Sequence, residues 1–351
     1  MRTVIFLPPL GRASGGLTAL RELAGILATQ GRAVAVAGPW EIMAQDGLPD
    51  VERLVWDGGG AFLKSGDIWL VPEGWPNALV PGLKAGARVL VYVQNWAFLV
   101  TALPDGLTWQ KLARAQKSSL LFLSVSGPVR HILTDVLGLD KKIVLKENLP
   151  PAVHSAFFGS ADVRGGGGRR RGERVRIAYM PRKNKAMAEQ ILRLTLALPD
   201  ADELEFVSIH NKSLEDVAQT LFACHIFLST GFPEGFALPP AEAMAAGCVP
   251  VGFSGLGGFE YMRNPEPSPL PGLFTPPFPL ETKPWGGNGL FVADGDVLGA
   301  ARALRLAVNL VRRGNGLWRE LVRNGKRTAL SYNRRMREER AARLWNALEQ
   351  A

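Results

Sequence analysis

Two glutamates separated by seven residues, Glu234 and Glu242, lie in the segment Ser229-Thr230-Gly231-Phe232-Pro233-Glu234-Gly235-Phe236-Ala237-Leu238-Pro239-Pro240-Ala241-Glu242. The apolar run Ile226 to Ser229 reads as a strand, Gly231 and Gly235 mark a loop, and the double proline opens a short helix that Gly247 closes. Free amides in such a loop and first helical turn, together with the helix dipole, suit phosphate. Glu234 precedes those amides and Glu242 is expected inside the first turn, so one carboxylate can meet each end of an extended phosphate-bearing ligand. An isolated pair of acids there would only complement a helix N-terminus. The dense context argues for a site: an alanine-rich helix follows, then the loop Gly255-Leu256-Gly257-Gly258-Phe259-Glu260.

Other candidates also follow strands. Arg182, Lys183 and Lys185 come after the run Val175 to Tyr179, where cations can neutralise a departing anion, although short basic runs also occur as solvated turns. Ser14, Gly15 and Gly16 follow the first strand, and glycine lets backbone approach phosphate closely. Gln94 and Asn95 follow the run Val89 to Val93 and can hydrogen-bond hydroxyl groups without acting as bases. The histidines, His131, His154, His210 and His225, have no ligand spacing, and Cys224 and Cys248 cannot build a disulfide scaffold or a four-thiolate centre, so no metal is expected.

The elements that must position these residues alternate between strand-like and helical runs, which predicts an α/β chain with parallel sheets. The first strand, Thr3 to Leu7, precedes a helix with Leu17, Leu20, Leu23, Ala24 and Leu27 on one face, ended by Gly31. Strands follow at Ala33 to Val36, Ile68 to Val71, Val89 to Val93 and Leu120 to Ser124, with Ser126 capping a helix that runs to Gly138. Residues 161–174 are a Gly/Arg-rich linker. A second series restarts with the strand Val175 to Tyr179 and continues through a helix from Lys185 to Leu196, the strand Leu204 to Val207, a helix capped at Ser213, and the strands Ile226 to Ser229 and Val249 to Phe253. Eight prolines in 264–284 predict an irregular loop. The domains expected are 1–160, 175–325, and a C-terminal helix in 326–351 that crosses back to the first domain.

With 351 residues, the chain is sized for two domains. Its net charge of +9 favours an anionic partner. The apolar run Val89 to Leu103 is broken by Gln94 and Asn95 and is shorter than the ~20 residues a bilayer requires. Four apolar residues before Pro8 are too few for a signal peptide, so a cytoplasmic protein is expected.

The 229–251 segment resembles the Glu, seven residues, Glu motif of retaining glycosyltransferases of the GT-B fold, in particular the large family four. The resemblance is strong from 175 to 300 and weaker from 1 to 160. It implies two Rossmann-like domains facing each other across a cleft. It also implies metal-independent transfer of a hexose-like sugar from a nucleotide-sugar to a glycan or lipid-linked acceptor with retention of configuration, in surface polysaccharide or glycolipid synthesis. By position, Glu234 would contact the transferred sugar and Glu242 the ribose hydroxyls, while Gly235, Phe236, Ala237 and Leu238 offer amides to the diphosphate. Arg182 and Lys185 would neutralise the leaving group, with Lys183 a rival for the second role, and Gly15 and Gly16 would form the glycine loop. Segment 289–296 resembles the late strand-to-helix element. Where many members carry a His, this chain has Gln94-Asn95 on the acceptor side.

No cofactor is implied. An anionic membrane surface is a candidate partner through the basic tail with Arg312, Arg313, Arg334, Arg335 and Arg337, which would place the protein at the inner face of a membrane; nucleic acid is not expected. The alternatives are a GT-B nucleotide-sugar epimerase and a catalytically inactive protein that binds glycan or nucleic acid.

Overall fold

The computed structural model describes residues 1–9, 15–45, 50–116, 119–159, 174–197, 201–276, 278–314 and 316–350. The chain divides into two compact units, Met1–Pro151 with Arg335–Ala351, and Ala152–Arg334. The first break therefore falls ahead of the Gly/Arg-rich 161–174 linker, which apart from Arg174 lies outside the described residues. The 326–351 segment is divided: the helix Gly316–Leu330 stays in the second unit, whereas the helix Arg334–Gln350 packs in the first.

The first unit holds a six-stranded parallel sheet in the order β3-β2-β1-β4-β5-β6. Its strands are β1 (Thr3–Phe6), β2 (Val34–Gly38), β3 (Glu52–Val55), β4 (Ile68–Pro72), β5 (Arg88–Val93) and β6 (Leu120–Ser124). Every residue of β1, β2 and β4 is buried, which is why these strands read as unbroken apolar runs. The edge strand β3 carries Glu52 and Arg53 and is largely exposed, so no apolar run announces it. Leu17, Leu20, Leu23, Ala24 and Leu27 all face inward from the helix Gly15–Thr29, as their spacing predicts.

The helix Arg334–Gln350 completes this core. Trp345 is fully buried and donates from its indole nitrogen to the Thr3 hydroxyl at 2.8 Å. Arg337, only 2% exposed, ion-pairs with Glu22 and donates to the Ala19 carbonyl at 2.8 Å. The tail is therefore less of an anion-seeking surface than its composition implies. Arg337 is spent inside, and Arg312, Arg335 and Arg343 pair with Glu203, Glu339 and Glu147 at 3.5, 3.0 and 3.1 Å.

The second unit holds a five-stranded parallel sheet in the order β11-β10-β9-β7-β8. Its strands are β7 (Val175–Tyr179), β8 (Leu204–Ser208), β9 (Ile226–Ser229), β10 (Val249–Phe253) and β11 (Leu290–Val292). The core packs Ile177, Ile226, Leu228, Val251 and Phe253 against Leu304, Val308 and Val311 of the helix Val297–Arg313. Ser213 caps the helix Leu214–Phe222 by accepting from the Asp216 amide at 3.1 Å. His225 belongs to this scaffold, accepting from the Arg176 amide through Nδ1 at 3.1 Å. Among the described residues of 264–284 there is no helix or strand. Among all described residues, no helix is long and apolar enough to cross a membrane.

In each sheet the order reverses once, between β1 and β4 in the first and between β7 and β9 in the second. The crevice beyond the carboxyl ends of strands at such a reversal is where open α/β sheets receive ligands.

Candidate functional site

In the second unit, the loops after β7 and β9 carry the chemistry-bearing residues. They are tied together by Asn184, whose left-handed backbone (φ 54°) closes the first loop and whose side-chain amide donates to the Thr230 and Phe232 carbonyls at 2.8 and 3.1 Å. Asparagine tolerates that conformation better than most residues. With the loop so closed, Lys183 Nζ reaches Glu234 Oε1 at 2.7 Å. Lys185, to which the sequence reading gave the second cationic role, instead starts the helix Lys185–Leu196 and lies 3.7 Å from Glu189, with its side chain 71% exposed. Of the two lysines, the structure therefore seats Lys183 against Glu234. Arg182 is exposed on the same loop.

Glu234 itself is held by backbone. Its amide donates to the Gly255 carbonyl at 2.9 Å, and its carbonyl accepts from the Gly257 amide at 3.1 Å. A Cβ at Gly255, where φ is +66°, would sit 2.7 Å from the Glu234 Cβ, and one at Gly257 would sit 2.2 Å from the Gly235 carbonyl carbon. Only glycines allow the two segments to approach this closely. Asp294 accepts from the Gly255 amide at 2.9 Å, which ties the 289–296 segment to the same cradle, and Asp296 caps the helix Val297–Arg313 by accepting from the Gly299 amide at 2.8 Å. Among the described residues, no group of three or more His, Cys, Asp or Glu side chains converges.

Beyond Glu234 the chain turns through Ala237, which has a left-handed backbone (φ 60°, ψ 66°), into the helix Leu238–Ala246. No described group accepts a hydrogen bond from the amides of Phe236, Ala237 or Leu238. Pro239 and Pro240 have no amide hydrogen to offer, so anion binding at this helix end falls to the three preceding residues. The helix starts at Leu238, one residue before the double proline, and this moves Glu242 into the second turn rather than the first. Glu242 is thus not an end-of-helix charge. Burial of its carboxyl pushes its pKa up to about 7, although the residue keeps some accessible surface.

Beneath the turn lies a support that sequence reasoning missed. The Tyr261 hydroxyl donates to the Ala237 carbonyl at 2.5 Å, and the Phe236 ring packs 5.1 Å from both Tyr261 and Tyr332. Tyr332 bonds to Glu260 at 3.0 Å, and Lys283 pairs with the same buried carboxylate at 3.1 Å. These residues come from four distant stretches of chain, with no local pattern to connect them.

In the first unit, Gly15 and Gly16 open the helix Gly15–Thr29, and Ser14 lies outside the described residues. Asn95 is committed to structure: its side chain caps the helix Trp96–Thr101, accepting from the Ala97 amide at 3.0 Å. Gln94 remains with a buried side-chain nitrogen that has no partner among the described residues. The carboxylate missed by the sequence reading is Glu73, immediately after β4, which accepts from the Gln94 amide at 3.0 Å and the Asn95 amide at 2.8 Å.

No protein-family model matches the chain, and no curated protein sequence is similar to it. Solved structures do share its fold. A glycosyltransferase from Rickettsia africae superposes with a TM-score of 0.68 at 12% identity, covering 99% of this chain and 98% of that one. HepE of Anabaena, in a complex with UDP-glucose, gives 0.64 at 13% identity, covering 99% and 100%. Sucrose-phosphate synthase from Thermosynechococcus elongatus gives 0.60 at 14% identity and covers all of both chains. The chain thus has the GT-B fold, each of its two units being a Rossmann-like domain.

Proposed function

We propose that this chain is a glycosyltransferase, of the retaining family-four type, that moves a hexose-like sugar from a nucleotide-sugar to a glycan or lipid-linked acceptor without a metal ion. The observation that carries the reading is the Lys183–Glu234 pair beside the unpaired amides of 236–238, with Glu242 about one turn along the helix that follows. Departure of a nucleoside diphosphate builds negative charge on the leaving oxygen while the sugar becomes oxocarbenium-like. Lys183, Arg182 and the three amides stabilise the first charge, Glu234 the second, and Glu242 binds the ribose hydroxyls. The complex of HepE with UDP-glucose makes a uridine nucleotide the first donor to test. A role in surface polysaccharide or glycolipid synthesis would bring the protein to an anionic membrane face, which salt-sensitive flotation with anionic liposomes tests; no flotation at low salt rejects it.

The donor reading is tested by thermal shift with UDP, GDP, dTDP, ADP and CMP on the wild type and Glu242→Ala. A ligand at ~100 times its Kd adds about 2.7 kcal/mol to native stability. One nucleoside diphosphate is expected to stabilise the wild type and to lose most of that effect in the variant. If none stabilises the folded wild type, the reading fails.

A further inference from the structure

At the opposite edge of the first sheet from its crevice lies a cavity of about 620 Å³. Among its lining residues, Gly66 precedes β4, Gly86 and Ala87 precede β5, and Ser119 precedes β6, so it stands at the amino ends of these strands. β5 runs for six residues, which sets its two ends roughly 17 Å apart. A small ligand held here does not reach the crevice. Two tight turns keep the space free of side chains: Gly66 and Gly86 have left-handed backbone (φ +87° and +70°), and a Cβ built on Gly66 meets nothing within 4 Å. The segment 142–147, which returns beside β6 through the Phe122–Val144 bridge, makes a second wall, and the last turns of the helix Arg334–Gln350 make a third. Leu121, Leu145, Leu344 and Leu348 give these walls an apolar surface. A volume of this size with apolar sides and a few charges is the usual form of a small-molecule site.

The charges on the cavity are almost all of one sign. Arg88, Lys142, Lys146 and Arg343 line it with a single carboxylate, Glu147, and Arg343 takes that carboxylate at 3.1 Å. Arg88 gives one of its five donors to the Leu348 carbonyl at 2.5 Å, and no other described residue accepts from it. Lys142 and Lys146 lie outside any helix, and neither pairs with a carboxylate among the described residues. Three like charges around a partly apolar space repel one another until an anion joins them. We propose that this cavity binds a small phosphate monoester, its phosphoryl group held by Arg88, Lys142 and Lys146 and its apolar body resting on the four leucines. A phosphate dianion brings close to two charges and three terminal oxygens to the three cations, whereas a carboxylate brings one charge and two oxygens. The site lies wholly in the first unit and owes nothing to the donor chemistry proposed above. Because the ligand joins β5, the 142–147 segment and the last helix, its binding fastens residues 343–350 to the sheet.

The test is calorimetric titration of the full chain with phenyl phosphate at low and high salt, with inorganic phosphate and phenol as the two halves of the probe, and with hydrogen exchange read over residues 343–350. Phenyl phosphate is expected to bind roughly tenfold more tightly than inorganic phosphate, to weaken as salt rises, and to slow exchange at the end of the helix. The double variant Lys142→Ala/Lys146→Ala is expected to lose about tenfold or more in affinity, the scale of hydrogen bonds to a charged group. Ala347→Trp, which fills the space without removing a charge, is expected to block the probe. All three positions are exposed, so both proteins are expected to melt with the wild type. Vesicles of phosphatidylcholine and phosphatidic acid, about 4:1, distinguish the source of the ester. Co-pelleting that both variants abolish places it on a lipid headgroup; phenyl phosphate binding without co-pelleting makes it a soluble metabolite. No binding of phenyl phosphate to the wild type, or undiminished binding by either folded variant, overturns the proposal. Glu242→Ala is expected to keep this site in full, so loss of the nucleoside diphosphate response and loss of phenyl phosphate are read apart.

Discussion

Replacing Glu242 with Gln is expected to stabilise the ligand-free protein at pH 8 and to abolish its response to nucleoside diphosphate. A carboxyl whose pKa stands near 7 when folded and 4.5 when unfolded holds its proton more tightly in the native state. The native state is then favoured by acid: the contribution is complete below about pH 4.5, is lost as the pH rises through 7, and is absent above. The displacement corresponds to a ceiling of about 3 kcal/mol, and because the residue keeps some accessible surface, about half of that is the working figure. Gln is isosteric with the protonated acid and escapes this cost. For a unit of this size, about 1.5 kcal/mol moves Tm by roughly 3–6 °C. Melting curves of wild type and Glu242→Gln from pH 4.5 to 8.5 read it directly. The difference is expected near zero at pH 4.5, growing through neutrality and level above pH 8. A difference independent of pH, or a variant less stable at pH 8, refutes the argument from burial. Stability gained alongside binding lost would mark Glu242 as retained at a cost for its ligand.

Other perturbations follow from the same geometry. Lys183→Met is expected to lower the transfer rate by roughly 100-fold, the scale of one lost contact to a developing oxyanion, and Lys185→Met to change it less than threefold; the reverse order would return the role to Lys185. Gly257→Ala must displace the Gly235 backbone and is expected to cost about 2 kcal/mol or more in a chemical melt and to remove the nucleotide response, whereas an unchanged melt would show that the cradle yields. Gly15→Ala meets no atom within 4 Å and is expected to melt with the wild type; a large loss of stability would contradict the open space there.

Much of the fold is legible where strands lie under two layers of helix, because total burial leaves an unbroken apolar run. Val249–Phe253, wholly buried, is read to the residue for this reason; Leu120–Ser124 and Val175–Tyr179 are also read to the residue, although Leu121, Arg176 and Tyr179 are only half-buried. An edge strand such as Glu52–Val55 pairs on one side only and keeps its charges, so nothing local distinguishes it from a turn. The Glu234–Glu242 spacing is equally plain, but which lysine meets Glu234 is not. That depends on the left-handed turn at Asn184, which directs two cations two residues apart to different surroundings. Glu73 was invisible because Pro72-Glu73-Gly74 has the composition of an ordinary turn. What sets the residue apart is the pair of amides 21 and 22 positions later, brought to it by the pairing of β4 with β5.

The inclusion of residues 335–350 in the first unit bears on how the chain matures during translation. Strands β1 to β6 emerge early, but the helix that seals Trp345 against Thr3 is made only after the whole of residues 152–334. At ribosomal speeds this is an interval of roughly 10 to 40 s. Throughout it, the surface destined for Trp345 and Leu348 has nothing of its own to cover it, whereas the contiguous second unit can close as soon as it leaves the exit tunnel. The part synthesised first is the part completed last, and a nascent chain stalled before residue 335 would present an unfinished apolar face to chaperones.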